Sequence, residues 1–463
     1  VLAIVFWGFP LNRFWGATLE GVAFALWPIL LVILAAIFTF KLAELTGALS
    51  VIRNQLTGIT TDRRIQVLIL AWGFGGFLEA VAGYGTAVAI PASILAMLGL
   101  HPVFAAVLSL IANTVPTAFG AVGIPVSTLA ALTGLDPGRL SLAVGIQLTP
   151  FIVAIPFVLV VLTGGGLKAL KGVFGVTLVS GLGFAIPQLV AAAFLGPELP
   201  ALLGSIGALG ATIGYTLLFH REDTSQPRIT ALQTLGAWLP YILIFVFVLA
   251  ASPLVPPIHR TLGAVHSSIT FFQTGRPVDF KWISTPGVLI LAAAITGALA
   301  QGARPGAMIR TLGRTARNLL PAAITVLSIL ALAKVLDYSG MIATLAAVLV
   351  SGAKGTYPLF APLLGALGTF VTGSDTSSNI LFGRLQVEVA TQIGESPTWL
   401  AAANTTGATA GKMISPQSIA IATGATGLIG EEGRILRQTL GFCLVYVLVL
   451  GLGVWLFSPW IPL

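Results

Sequence analysis

Apolar runs of bilayer-spanning length recur from one end of this chain to the other. A transmembrane helix takes about 20 consecutive apolar residues. Residues 22–40, 140–162, 173–195, 199–219 and 435–457 each reach that length. Hydrocarbon offers backbone amides no partner, so a spanning segment is a helix or part of a closed barrel. Barrels are built from short alternating segments, which these runs do not resemble. The fold class is therefore an all-α polytopic membrane protein, multi-pass in the cytoplasmic (inner) membrane with the lipid bilayer as its solvent. Composition agrees, because only 8% of residues are charged where soluble domains have about 25%. The net charge of +8 sits in loops. There it sets orientation, and it gives no reason to expect a nucleic-acid partner. Cys443 is the only cysteine and stands in the last apolar run, which excludes an intrachain disulfide and makes it a core residue. The chain starts at Val1 inside an apolar run, so a further N-terminal piece is expected.

Several of the runs are interrupted by Gly, Pro and small polar residues. The first break is Ala82-Gly83-Tyr84-Gly85-Thr86, inside the run 65–100. The run 103–132 breaks at Asn113-Thr114-Val115-Pro116 and again at Gly123-Ile124-Pro125. Later come Thr372-Gly373-Ser374-Asp375-Thr376-Ser377-Ser378-Asn379, then Asn404-Thr405-Thr406-Gly407, then Gly411-Lys412-Met413-Ile414-Ser415-Pro416-Gln417-Ser418. Pro and Gly end helices and free backbone groups, and irregular backbone at membrane depth is tolerated only where it lines a cavity or is buried in protein. These breaks predict two re-entrant hairpins, about 65–100 and 357–392. They also predict two unwound transmembrane helices, about 103–132 and 398–428. A full span with a kink is the alternative for the first hairpin.

The pattern repeats. Pro28, Lys41, Glu44, Gly47, Gly75 and Phe77 match Pro321, Lys334, Asp337, Gly340, Gly368 and Phe370 at a constant separation of 293 residues. Asn113, Thr114, Gly120, Pro125 and Ser127 match Asn404, Thr405, Gly411, Pro416 and Ser418 at 291. The basic loop with Arg53, Arg63 and Arg64 follows its span, whereas Arg304, Arg310, Arg314 and Arg317 precede the equivalent span. If both loops are cytoplasmic, the equivalent spans run in opposite directions. That is an inverted-topology repeat, a plan common among secondary transporters. The expected organisation is a first repeat over 1–165, connecting helices and an external connector over 166–284, and a second repeat over 285–463.

The side chains at the breaks suggest the ligand. Candidate substrate-binding residues are Thr86, Asn113, Thr114, Ser374, Thr376, Ser377, Ser378, Asn379, Asn404, Thr405, Thr406, Lys412, Ser415 and Gln417, with Ser418 beside them. Lys412 is the one cation in the second unwound span. Many hydroxyls with one cation suit a small, singly charged, hydroxylated anion, and half-helix N-termini attract anions as well. Part of this hydroxyl set is expected to cap helices or join them. Tyr84 and Met413 are expected to pack. Glu79 and Asp375 stand at membrane depth, where an ionised carboxylate costs about 2.5–3.5 kcal/mol. Both are candidates for carrying a proton, with a buried hydrogen bond (Glu79) and a helix N-cap (Asp375) as the alternatives. Carrying a proton with a monovalent anion would make entry electroneutral, although sodium remains open at this stage. The four histidines, His101, His220, His259 and His266, lie in loops or at span ends, and no metal-ligand spacing is present, so neither metal nor cofactor is expected. A polytopic membrane enzyme and a channel are rival classes.

Three stretches resemble the bacterial lactate permease family, which includes glycolate permeases. They are Gly75-Gly76-Phe77-Leu78-Glu79-Ala80-Val81-Ala82-Gly83-Tyr84-Gly85, the Thr372–Asn379 cluster, and Asn404-Thr405-Thr406-Gly407 with Gly411 to Ala420. Gly196-Pro197-Glu198-Leu199-Pro200 is similar too. The resemblance implies proton symport of L-lactate, D-lactate and glycolate. It also implies an elevator-type transporter, with hairpins in a moving domain on a scaffold that often forms a homodimer. A sodium-coupled carboxylate or inorganic-anion carrier is the rival within the same superfamily. The chain departs from the family in lacking one or two N-terminal spans, in a short connector over 252–285, and in Arg384, where members have a small neutral residue. A basic side chain at that position would be expected to shift substrate choice if it reached the site.

Overall fold

The computed structural model describes residues 2–460 apart from 82, 84, 221–230, 252–254, 272–277 and 429. Ala82 and Tyr84 of the first break thus lie outside the described residues, as does part of the connector. Among the described residues, eight helices are long and apolar enough to cross a membrane. A bent pair, Pro305–Pro321 and Val326–Tyr338, would make a ninth. One small departure from an all-α chain occurs in the connector. There, His266–Ile269 pairs antiparallel with Val278–Lys281 in the register His266 to Lys281.

Five elements follow one another in the same order in each half. The first is a long broken span. Leu11–Phe24 and Leu31–Leu45 are joined through Ala25–Leu30, where Trp27 adopts an extended backbone (φ −137°, ψ 116°). Pro28 accounts for this, because its ring excludes the residue before it from the helical region. In the second half the bent pair turns by 53° just after Pro321, where a helix-interior proline removes a hydrogen bond. Short helices follow, Ala48–Thr57 and Met341–Ala353. Next come helical hairpins, Arg63–Val81 with Thr86–Met97, and Tyr357–Thr372 with Asp375–Ile393. Then come broken helices. The first comprises Pro102–Ala112, Pro116–Phe119 and Gly120–Thr133; the second comprises Pro397–Lys412 and Pro416–Thr426. Pro137–Thr163 and Glu432–Phe457 close the two series. Phe174–Phe194, Pro200–Phe219, Ala231–Ala251 and Pro286–Ala300 lie between them.

Side-chain bonds draw the arms of the second hairpin together in antiparallel order. Thr369 donates to Asp375 at 3.1 Å, Ser378 to the Gly365 carbonyl at 2.7 Å, and Tyr357 to Gln386 at 2.9 Å. The second broken helix packs against this hairpin through Gly407 and Gly411, one turn apart. A Cβ at either position would collide with the backbone of Pro362 or Ala366. Helix association in lipid depends on such close approach of small residues. The halves interlock as well, since Asp375–Ile393 packs on Gly120–Thr133 and Pro416–Thr426 packs on Thr86–Met97.

The long broken spans pack on each other and share a buried ion pair. Glu20 is 1% exposed and meets Lys334 Nζ at 2.7 Å. The Tyr338 hydroxyl also donates to the Glu20 carboxylate, at 3.0 and 3.1 Å. Removing one partner of a buried pair leaves an uncompensated charge, at a cost of about 3–5 kcal/mol. Lys334→Ala is therefore expected to lower the unfolding temperature in detergent markedly, and the double variant with Glu20→Gln to recover part of the loss. An unchanged melting curve for the single variant would contradict this.

Candidate functional site

The ends of both hairpins and the breaks of both broken helices converge on one cavity. Glu79, Gly83 and Gly85 enter from the first hairpin, and Thr117, Gly120, Ala121, Ile124 and Pro125 from the first broken helix. Gly373, Ser374, Asp375 and Thr376 enter from the second hairpin, and Lys412, Gln417, Ser418 and Ile421 from the second broken helix. About 70 Å³ is open to water, which is room for a few water molecules or a small solute.

Local sequence explains how two helix starts come to face this space. Ser374 caps Asp375–Ile393, accepting from the Ser377 N–H at 3.3 Å. Ser415 caps Pro416–Thr426, accepting from the Ser418 N–H at 3.1 Å. Serine is a preferred cap because its short hydroxyl reaches a backbone N–H that the helix leaves unbonded. The positive ends of both helix dipoles therefore face the same cavity, as an anion site requires.

Both carboxylates are buried, Glu79 at 3% and Asp375 at 2% exposure. Asp375 Oδ1 accepts from Thr369, and Asn113 lies beside the Glu79 side chain. The second oxygens, Glu79 Oε2 and Asp375 Oδ2, have no partner among the described residues. Lys412 Nζ donates to the Gly373 carbonyl at 3.3 Å. Its positive charge acts on both carboxylates, and Asp375 also feels the charge of Glu79. The cavity thus holds one cation, two acids and several hydroxyl or amide groups.

Among the candidate residues, Ser374, Thr376, Lys412, Gln417, Glu79 and Asp375 line the cavity, with Ser418. The others bond to protein. Thr86 donates to the Gly83 carbonyl at 2.8 Å and Thr114 to the Leu110 carbonyl at 3.3 Å. Asn113 also reaches Thr117 at 3.2 Å. Ser377 contributes its N–H to the Ser374 cap, and Ser415 acts as a cap. Asn379 donates to the Pro125 carbonyl at 3.1 Å and to Thr405. Asn404 donates to Asn379 at 3.0 Å and accepts from Gln386 at 3.2 Å. Thr406 donates to Gln147 at 2.8 Å, and Gln147 donates to the Trp399 carbonyl at 3.0 Å. Together these bonds make a polar spine behind the cavity that holds the broken helices in register. Sequence reasoning missed Gln147, Gln386, Thr117 and Thr369. A glutamine inside a largely apolar helix is a signal that points to Gln147; Gln386 stands in a helix with many polar residues and has no such signal.

A family model described as L-lactate permease matches residues 1–460. The chain belongs to the L-lactate permease family. An L-lactate permease of Streptococcus iniae is 48% identical over 391 residues, covering 83% of this chain and 82% of that protein. The glycolate permease GlcA of Escherichia coli (strain K12) is 36% identical over 499 residues, covering 98% and 88%. This family member is a permease rather than an enzyme, and a multi-pass protein of the cell membrane. The solved structure of Neisseria gonorrhoeae MtrF, from a class of antimetabolite efflux pumps, shares its fold with a TM-score of 0.50 at 13% identity. That alignment covers 94% of this chain and 82% of MtrF.

Proposed function

We propose that this permease imports small 2-hydroxymonocarboxylates, lactate and glycolate, by proton symport. The observation that carries this reading is the charge inventory of the cavity: Lys412 alone against Glu79 and Asp375, each acid with an unpartnered oxygen. With both acids ionised the inventory sums to −1 and repels an anion. A proton on one acid brings it to zero, and a proton on each leaves Lys412 free to pair with a carboxylate. Anion binding and proton loading thereby favour each other. Symport with one proton also removes the roughly 2.3 kcal/mol per 100 mV that opposes a lone anion entering a negative interior. Ser374, Thr376, Gln417 and Ser418, which line the cavity, would bond the carboxylate and the 2-hydroxyl, and the small cavity disfavours tricarboxylates. The names of the relatives, L-lactate and glycolate permeases, support the same substrate class.

The recurring element order, with the positions of the two basic loops, supports an inverted repeat over 1–165 and 285–463. Convergence of both hairpins on one cavity supports their moving as a unit, as in an elevator. In counterflow with radiolabelled L-lactate, unlabelled L-lactate, D-lactate and glycolate should compete. Absence of labelled lactate counterflow in a preparation that exchanges citrate or phosphate would overturn the assignment.

Arg384 does not line the cavity. Its Nε donates to Asp337 at 3.1 Å and its Nη1 to the Thr133 carbonyl at 3.2 Å. Arg384→Ala is therefore expected to leave the ratio of lactate to glycolate affinity within about twofold of the parent, since a partly exposed pair is worth about 0–1 kcal/mol and is remote from the ligand. A large shift in that ratio in the same counterflow assay would contradict it.

A further inference from the structure

Glu198 stands outside the central cavity but faces the same broken helix. It lies in the short turn between Phe174–Phe194 and Pro200–Phe219. A second cavity, of about 110 Å³, is lined by Glu198 with Val122, Ile124 and Ser127 of the first broken helix and Phe24 of the first span. Ile124 also lines the central cavity, so a single side chain is common to both chambers. The partition beside it is a left-handed turn through Ala121 (φ 45°), Val122 (φ 58°) and Gly123 (φ 75°). Non-glycine residues seldom occupy this region, and a β-branched valine least of all, so surrounding structure must hold the turn. The Pro197 carbonyl does so, packing on Gly123 where any Cβ would collide with it. The residue before Glu198 therefore braces the partition. Ser127 Oγ is shielded from solvent and has no partner among the described residues.

The second chamber lies on the connector side. Lys281, at the end of the strand Val278–Lys281, exerts its charge on Glu198, and its carbonyl accepts from Trp27 at 3.3 Å. Among the described residues no other titratable side chain lines this chamber. An ionised carboxylate at a low-dielectric mouth repels an incoming carboxylate, whereas a neutral one can donate a hydrogen bond to it. The geometry points to Glu198 as an outer proton-binding site: a proton taken there from water on the connector side neutralises the chamber before the anion passes Ile124. Burial pushes the Glu198 carboxyl up to about 7, with its own backbone N–H and Lys281 offsetting part of that rise. The neutral form therefore prevails below about pH 7 and is lost above it.

This inference rests on the proton-symport reading, but its test needs no proton gradient. Lactate–lactate exchange is measured in oriented proteoliposomes with the internal pH fixed and the connector-side pH varied from 6 to 8.5. The parent rate is expected to fall by about tenfold per unit above the Glu198 transition, as for one titrating group. Glu198→Gln should flatten this fall, and Glu198→Asp should retain a titration. A glutamine variant that keeps the parental profile would overturn the proposal, as would a parent with no such fall. Should the variants not fold, a carbodiimide that attacks protonated carboxyls reports on the parent protein by mass spectrometry. Labelling of Glu198 with a midpoint near pH 7 supports the site. No labelling, or a midpoint in the ordinary carboxylate range, overturns it. Loss of gradient-driven uptake with the exchange profile intact would sink the symport reading and leave Glu198 standing.

Discussion

Lys412→Gln is expected to weaken lactate binding by about 10- to 200-fold, the equivalent of the ~1.5–3 kcal/mol carried by a hydrogen bond to a charged group. Lys412 is the one cation lining the central cavity. Among the described residues its only hydrogen bond there is to the Gly373 carbonyl, at 3.3 Å, which leaves its other donors for a carboxylate. With glutamine in its place, two acids face the anion with only neutral donors to offset them. Half-saturation for counterflow, measured at acidic pH so that the acids are loaded, reads the loss directly. Lys412→Arg should recover part of the binding, because it restores charge but crowds a small cavity. Unchanged affinity in the glutamine variant would assign Lys412 to holding the second hairpin through Gly373.

Either Asp375→Asn or Glu79→Gln, whichever removes the proton carrier, is expected to abolish accumulation while sparing exchange. One-to-one symport driven by one pH unit concentrates the substrate about tenfold; without a proton carrier the ratio falls to about one. Neither substitution should disrupt the local structure. Asparagine at 375 still accepts from Thr369, and glutamine at 79 keeps the size of the parent side chain. Exchange of bound lactate needs only that the loaded site reorient, and a permanently neutral acid mimics loading. Both ratios are read from labelled lactate at steady state under an imposed gradient. If both variants accumulate lactate like the parent, neither acid carries the proton.

Much of this architecture was legible because Gly and Pro act locally. Gly85, Gly373 and Pro416 mark breaks that the chain does make, whereas the run 22–40 reads as one span yet breaks at Trp27, and Ser374 and Ser415 read as ligand groups yet cap helices. The tertiary facts were not legible in this way. Asn379 and Asn404 looked like ligand groups of the same kind as Thr376, yet Asn404 donates to Asn379, and Asn379 donates to Thr405 and to the Pro125 carbonyl. Nothing in a stretch of small polar residues tells which side of a helix meets a neighbour and which meets a cavity. Sequence gives Arg384 no role, because its partner Asp337 lies 47 residues away in the chain. The left-handed backbone of Ala121 and Val122 runs against the preference of both residues. The Pro197 carbonyl packs against the next residue, Gly123, a contact from another turn that no local pattern reveals.

Radiolabelled lactate uptake into proteoliposomes tests the proposed coupling most directly, driven once by a pH gradient without sodium and once by a sodium gradient at equal pH. Proton symport predicts accumulation with the pH gradient alone and none with sodium alone. Accumulation only with sodium would contradict it, moving the coupling ion from Glu79 and Asp375 to the hydroxyls and backbone carbonyls around them.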